Sequence, residues 1–292
     1  MKNGNIQHYL SLLAHQPGHS PYLLPDYLTI VHPGWTLFSS GNFLFPLTPR
    51  RLAWYRLLEQ PLLTQHFALI GEKKPQKVDY DQLLTSLQQQ FHQLDFCLDT
   101  TGFEPPRGWK SQERLTYRLN LPENPLLLRE NYSQHLKRLL KKPASLLLRN
   151  NLAVDEFLPF LRTHLPNKTR LPKRFYAQAE TLLRHPGLGW QIYGAYANEK
   201  LVAACAILHH GNQRYYQLAV NAPAGKNLNA MHQLVDHLLI NYCGQGLVFD
   251  FEGSMIAGLQ RFYSGFGAKP YIYTRVSYSR LPWPLSLWKH GI

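Results

Sequence analysis

Two carboxylates, Asp250 and Glu252, stand two residues apart at the end of the apolar run Leu-Val-Phe-Asp-Phe at 247–251, which Gly246 and Gly253 bound. A run of that length between glycines predicts a central strand that ends in a tight Gly-Ser turn. Alternation along a strand puts the two side chains on one face, about 6–7 Å apart. Ser254 stands at the N-cap position of a following helix, and Gly265 and Gly267 stand where that helix would stop. Carboxylates at the C-terminal end of a strand, beside a helix start, suit proton transfer or ligand binding. The plainer alternative is an ion pair, with Arg261 on the same helix as the partner of Glu252.

The elements that position this turn read as an α/β arrangement. A meander at 190–197, 201–208 and 214–220 precedes it, with turns at Asn198-Glu-Lys200 and Gly211-Asn212. The loop Asn-Ala-Pro-Ala-Gly-Lys-Asn at 221–227 leads into a helix whose apolar residues Leu228, Met231, Leu234, Val235, Leu238, Leu239 and Tyr242 recur every three or four positions. Asn229, Gln233 and Asp236 share another face of that helix, expected to be solvated. A strand at 270–279 is expected to close the sheet. Before the meander come a basic helix at 131–142, a short strand at 144–150 and helices at 154–165 and 173–184.

The first half shows a weaker version of the same order. It has a helix at 5–16, a stretch broken by Pro and Gly at 17–34, and a hairpin at 35–38 and 43–45. A basic loop at 47–51 follows, then strand-like pieces at 54–58 and 66–70, a helix to about residue 93, and strands at 94–99 and 114–121. The helix leading into 94–99 parallels the helix leading into 247–252. Two related domains are therefore expected, at 1–125 and 126–292, with the active site in the second.

Composition sets the broad class. The chain has 292 residues, 45% hydrophobic and 17% charged, which is a folded protein with a sizeable core. Its net charge of +13 favours an anionic partner: a phosphate-bearing cofactor, a nucleic acid or a membrane surface. Lys137, Arg138, Lys141 and Lys142, with Lys168, Arg170, Lys173 and Arg174, form two basic segments suited to phosphates or tRNA, or simply to water. Cys97, Cys205 and Cys243 form no CxxC pair and read as structural thiols. The polar N-terminus lacks the run of a signal peptide and no stretch reaches the roughly 20 apolar residues of a membrane span, so a cytoplasmic protein is expected. There is no Walker loop, no GxGxxG after a strand, no HExxH and no GxSxG around Ser254. His15 and His19 lack Cys or acidic neighbours, so no metal is expected.

The second half resembles the Gcn5-related N-acetyltransferase (GNAT) superfamily, and the whole chain resembles its FemAB-like branch, in which two such domains stand in tandem. The residues that carry this are the helix Ser133-Gln-His-Leu-Lys-Arg-Leu-Leu-Lys-Lys142, the helix from Asn227, Phe249-Asp-Phe-Glu-Gly-Ser254 and Arg261-Phe-Tyr-Ser-Gly-Phe-Gly-Ala268, with Pro46-Leu-Thr-Pro-Arg50 and Gln60-Pro-Leu-Leu-Thr-Gln65 in the first half. The resemblance implies two tandem GNAT-like domains, the N-terminal one degenerate, and transfer of an acyl or aminoacyl group to an amine. The donor would be an acyl-CoA-type thioester or, as in the Fem transferases, an aminoacyl-tRNA. The acceptor would be a small-molecule or peptide amine. Such a reaction needs a base, which Glu252 or Asp250 supplies, and an acid for the leaving group, for which Tyr263 is the candidate. The donor's phosphates would lie along Val220, Asn221, Gly225, Lys226, Asn227 and Asn229. This segment carries one glycine where the superfamily's pyrophosphate loop, Gln/Arg-x-x-Gly-x-Gly/Ala, has two small residues. That departure motivates a second expectation, a binding module that keeps the fold, binds an anionic partner and has no chemistry.

Overall fold

In the computed structural model of the chain, the described residues are 3–16, 18–141, 144–165, 171–253, 255–283 and 285. Lys142, Lys168, Arg170 and Ser254 lie outside them. The elements begin with α1 (Asn3–Ala14), a 3₁₀ turn (Pro21–Leu23), α2 (Pro25–Val31), β1 (Thr36–Ser40), β2 (Phe43–Leu47), β3 (Pro49–Leu52) and β4 (Tyr55–Glu59). Next come α3 (Lys77–Gln90), β5 (Gln93–Leu98), β6 (Lys110–Asn120), α4 (Pro125–Glu130), α5 (Gln134–Lys141) and β7 (Leu147–Asn150). Then follow α6 (Val154–His164), α7 (Lys173–Arg184), β8 (Gly189–Ala197), β9 (Lys200–His210) and β10 (Gln213–Asn221). The last are α8 (Pro223–Asn227), α9 (Ala230–Tyr242), β11 (Val248–Asp250), α10 (Ala257–Gly265) and β12 (Lys269–Ser279). The chain divides into two compact units, Met1–Arg114 with Ile272–Ile292, and Leu115–Tyr271.

The first unit pairs β1 with β2, β3 with β4, β4 parallel with β5, and β5 antiparallel with residues 274–279 of β12. Its core gathers Leu83, Leu84 and Leu87 of α3 with Phe45, Phe67, Phe96 and Val276. Three expectations change here. Residues 49–52 form a strand, not a loop, because they pair with β4 across a two-residue turn. The broken stretch 17–34 holds a 3₁₀ turn and α2, each opening on a proline that suits a first helical position. The strand at 270–279, which the sequence alone points to the second half, pairs with β5. Arg275 fixes that register through a fork onto Asp95 at 2.7 and 2.5 Å.

The second unit carries a sheet in the order β6, β11, β10, β9, β8, β7. Only β10 and β11 are parallel; the other neighbours in this unit are antiparallel. Helix α9 lays Leu234, Val235, Leu238 and Leu239 into the core with Ala203, Cys205 and Ile207 of β9. A fully buried aliphatic side chain contributes about 1.5–3 kcal/mol, so this face fixes the helix. The expected basic helix at 131–142 starts later: α4 ends at Glu130 and α5 begins at Gln134. Asp236 departs from the solvated face expected for it. It is buried and accepts from Arg129 Nη2 at 2.7 Å and the Tyr132 hydroxyl at 3.0 Å. Those donors lie over a hundred residues earlier, where helical periodicity cannot see them.

Where β9 ends and β10 begins, His209 Nε2 and the Tyr242 hydroxyl stand 3.0 Å apart, and Tyr242 meets the Tyr193 hydroxyl at 2.8 Å. Burial and the nearby Arg214 charge push His209 down to about 4. The unfolded chain takes up this proton near its ordinary pKa of about 6.5, so it binds more protons than the native state between these values. Stability is therefore expected to fall as pH drops from about 6.5 to about 4. Urea denaturation of His209→Gln beside the unsubstituted protein should show a shallower acid loss in the variant. Parallel curves would contradict this assignment.

Candidate active site

The site begins where β10 and β11 part. Their parallel pairing runs Gln213↔Val248, Arg214↔Phe249, Tyr215↔Asp250 and stops. Strand β10 continues to Asn221 along β9, with its register stepping from Tyr216↔Ile207 to Leu218↔Ala206. The extra residue, Gln217, is a bulge, and bulges bend and twist a strand. Strand β11 thus ends at Asp250 beside Tyr215 of β10, and the C-terminal end of a parallel strand is the usual place for a ligand in such a sheet.

Asp250 is the last residue of β11 and is fully buried. Its carboxylate accepts from Thr116 Oγ1 at 2.6 Å and Arg118 Nε at 2.7 Å, both on β6. It also accepts from the Glu252 backbone N–H at 2.9 Å. The Arg118 guanidinium in turn lies 3.6 Å over the Tyr271 ring. This set of bonds bends the chain: Glu252 has φ +57, in the left-handed region that a non-glycine residue seldom enters. The strand alternation expected to put Asp250 and Glu252 on one face therefore does not reach Glu252. Asp250 points into the interior and Glu252 stands half-buried on the turn beyond it.

Helix α10 follows and ends at Gly265, with Gly267 at φ +83, as the glycine spacing implies. It buries Tyr263 against Phe251, with ring centroids 5.0 Å apart, and Tyr117, at 5.8 Å. The Tyr263 pKa is raised, first by burial and then by the charges of Glu252 and Asp250. Its phenol therefore keeps its proton within the influence of both carboxylates. Tyr216 is buried on β10 beside the bulge, and its pKa is raised by burial and by the neighbouring Cys205 and Tyr263. Arg261 is exposed, and Arg118 forms an ion pair with Asp250 at 2.7 Å. Thr116, Arg118 and Tyr216 are not singled out by sequence reasoning. The alternation of Thr116 and Arg118 on one strand face was the available signal.

The segment after β10 is more closed than a loop. Val220 is buried and Asn221 ends the strand. The amides of Lys226, Leu228 and Asn229 bond to the carbonyls of Ala222, Ala224 and Lys226 at 3.0, 3.2 and 3.1 Å. Asn229 takes φ +52 just before α9, while Lys226 and Asn227 are exposed. A pyrophosphate needs several amides turned outward. Here three are turned inward, and the first amides of α9, at Ala230 and Met231, are those that no helical carbonyl reaches. Asn221 Oδ1 is buried with no hydrogen-bond partner, against Gly225. A Cβ on Gly225 would collide with that oxygen and with the Val202 carbonyl. Gly225→Ala is expected to destabilise the protein by about 1–3 kcal/mol through overpacking, read by urea unfolding. A loss below about 0.5 kcal/mol would show that α8 shifts freely.

Residues 128–271 match the family model described as an acetyltransferase (GNAT) domain. The fold of the whole chain is that of FemX, with a TM-score of 0.65 at 12% identity over 98% of each chain. Residues 128–271 thus carry a GNAT-type domain, and the likeness to FemX is one of fold. A tandem GNAT protein from the clavulanic acid biosynthesis pathway superposes with a TM-score of 0.52 at 12% identity, covering 94% of this chain and 93% of its own. The C-terminal domain of a protein described as a lysylphosphatidylglycerol synthetase, from Agrobacterium fabrum, gives 0.56 at 11%, covering 97% and 94%. No curated protein matches the sequence. The GNAT-like fold is thus a mixed α/β one in two domains, and the parted strands, the Asp250 turn and the segment from Asn221 all lie in the matched region. No helix among the described residues is long and apolar enough to cross a membrane, and no group of metal-binding side chains occurs among them.

Proposed function

We propose that this protein transfers an aminoacyl or acyl group to an amine, with Glu252 as general base and Tyr263 as the acid for the leaving group. The observation that carries this reading is the Asp250 clamp, which holds Glu252 at φ +57 beside the parted strands and next to a protonated phenol. Asp250 serves as a positioning residue, since its oxygens are already engaged by Thr116, Arg118 and the Glu252 amide. In the reaction the amine nitrogen forms a bond to the donor's carbonyl carbon and gives a proton to Glu252. The bond from that carbon to the leaving oxygen or sulfur breaks, and Tyr263 protonates the leaving atom. The phenol is then restored by a proton from Glu252 or solvent.

Of the two donor classes, aminoacyl-tRNA is the better supported. The inward amides at Lys226, Leu228 and Asn229 leave little for a pyrophosphate, and the charge of +13 suits a polyanion. The name of the synthetase-like relative also refers to a lysyl group, an aminoacyl unit. Should the donor be acyl-CoA, Lys226 and the amides of Ala230 and Met231 are the groups that would hold its phosphates. The test is Tyr263→Phe, assayed with aminoacyl-tRNA and with acyl-CoA donors and a mixture of amine acceptors. The hydroxyl loss is expected to lower kcat by about 10²-fold or more with the supported donor. Equal rates in the variant would remove the acid role. No turnover by the unsubstituted protein with any donor would favour the binding module, a reading that draws on the same inward amides.

A further inference from the structure

The hairpin of β3 and β4 lies in the first unit. Its two-residue turn is Ala53-Trp54, and Ala53 has φ +53 where such turns ordinarily use glycine or asparagine. The turn presents Trp54 at 78% exposure. Behind it runs a row of rings: Trp54 to Tyr55 at 5.4 Å, then Tyr55 to His92 at 5.2 Å. Arg51 and Arg56 face each other directly across the two strands, and both are exposed. Like charges in that register are unfavourable by themselves. Arg280, also exposed, is tied to the end of the row by its N–H bond to the His92 carbonyl at 2.8 Å. The acid on this hairpin, Glu59, pairs with Arg50 at 2.9 Å, and among the described residues Arg51, Arg56 and Arg280 have no ion-pair partner.

An exposed Trp54 ring, backed by the half-buried Tyr55 and His92 and fringed by guanidinium groups without ion-pair partners among the described residues, matches what unpaired nucleotides require: a face for a base and cations for the flanking phosphates. We infer that this hairpin is a contact for single-stranded RNA, with Trp54 stacking on a base and Arg51 and Arg56 neutralising phosphates. A membrane surface is the weaker match, because on the hairpin Leu57 and Leu58 are buried and Leu52 is half-buried, which leaves Trp54 as the exposed large apolar side chain among cations. The inference rests on the donor reading above only for the identity of the RNA, which would be the tRNA.

The test measures binding of a labelled short single-stranded oligoribonucleotide, of unfractionated deacylated tRNA and of phosphatidylglycerol vesicles across a salt series. Trp54→Ala is expected to weaken binding to both RNAs about tenfold, with Trp54→Phe keeping most of it. Arg51→Ala with Arg56→Ala should reduce the slope of log Kd against log salt by about one unit. Circular dichroism of each variant checks that the fold is kept. RNA binding with unchanged affinity and slope in the variants would overturn the inference, as would vesicle binding that depends on Trp54 without RNA binding. Trp54-dependent RNA binding by a protein that transfers only from acyl-CoA would uphold the hairpin and sink the donor reading. Transfer from aminoacyl-tRNA with the same KM in Trp54→Ala would do the reverse.

Discussion

Asp250→Asn should destabilise the protein by about 3 kcal/mol, because one partner of a buried, hydrogen-bonded ion pair is neutralised while the other keeps its charge. The amide that replaces the carboxylate also brings two N–H donors to a place where Thr116, Arg118 and the Glu252 amide already donate. At least one donor is then left without an acceptor in the interior, where such a group is costly. Chemical denaturation reads the loss directly. Arg118→Ala alone and the double variant close a cycle, and the double variant should be less damaged than the sum of the two single ones. Additive losses, or a change below 1 kcal/mol in Asp250→Asn, would mean that the clamp does not hold the turn.

Glu252→Gln is the second, and its effect falls on rate. It keeps shape and removes the base, so kcat should drop by about 10²–10⁴ with little change in melting temperature. Glu252→Gly makes the same chemical deletion and relieves the left-handed backbone, so it should be as inactive and no less stable, by up to about 1 kcal/mol in its favour. That combination separates a residue kept for chemistry from one kept for structure. A Gly variant that is clearly destabilised, or a Gln variant with ordinary turnover, would remove Glu252 from the base role.

How far the sequence alone reaches is visible at this turn. The strand at 247–251, the helix beyond it and the meander before it follow from local periodicity and glycine placement. The carboxylates themselves are singled out by position. What stays hidden is every contact made across a long stretch of chain. Arg118 and Asp250 are 132 residues apart, and nothing in the pattern near 250 announces a partner on β6. Asp236 looks solvent-facing by its helical spacing and is buried by Arg129 and Tyr132. The segment 221–229 reads as a loop because Pro223 and Gly225 break patterns, yet Pro223 opens α8 and Gly225 lets it press on Val202. Helical and strand periods report faces; partners are decided by packing.

The span between Thr116 and Arg118 on one side and Asp250 on the other also bears on how the molecule comes into being. Closing a loop of that size is entropically slow, and contacts so distant in sequence form late. Helices and the meander of β8, β9 and β10 assemble from neighbours. The left-handed turn cannot, since its anchor arrives from a strand made more than a hundred residues earlier on the ribosome. A newly made chain would therefore look folded by its helix and sheet content before it became competent.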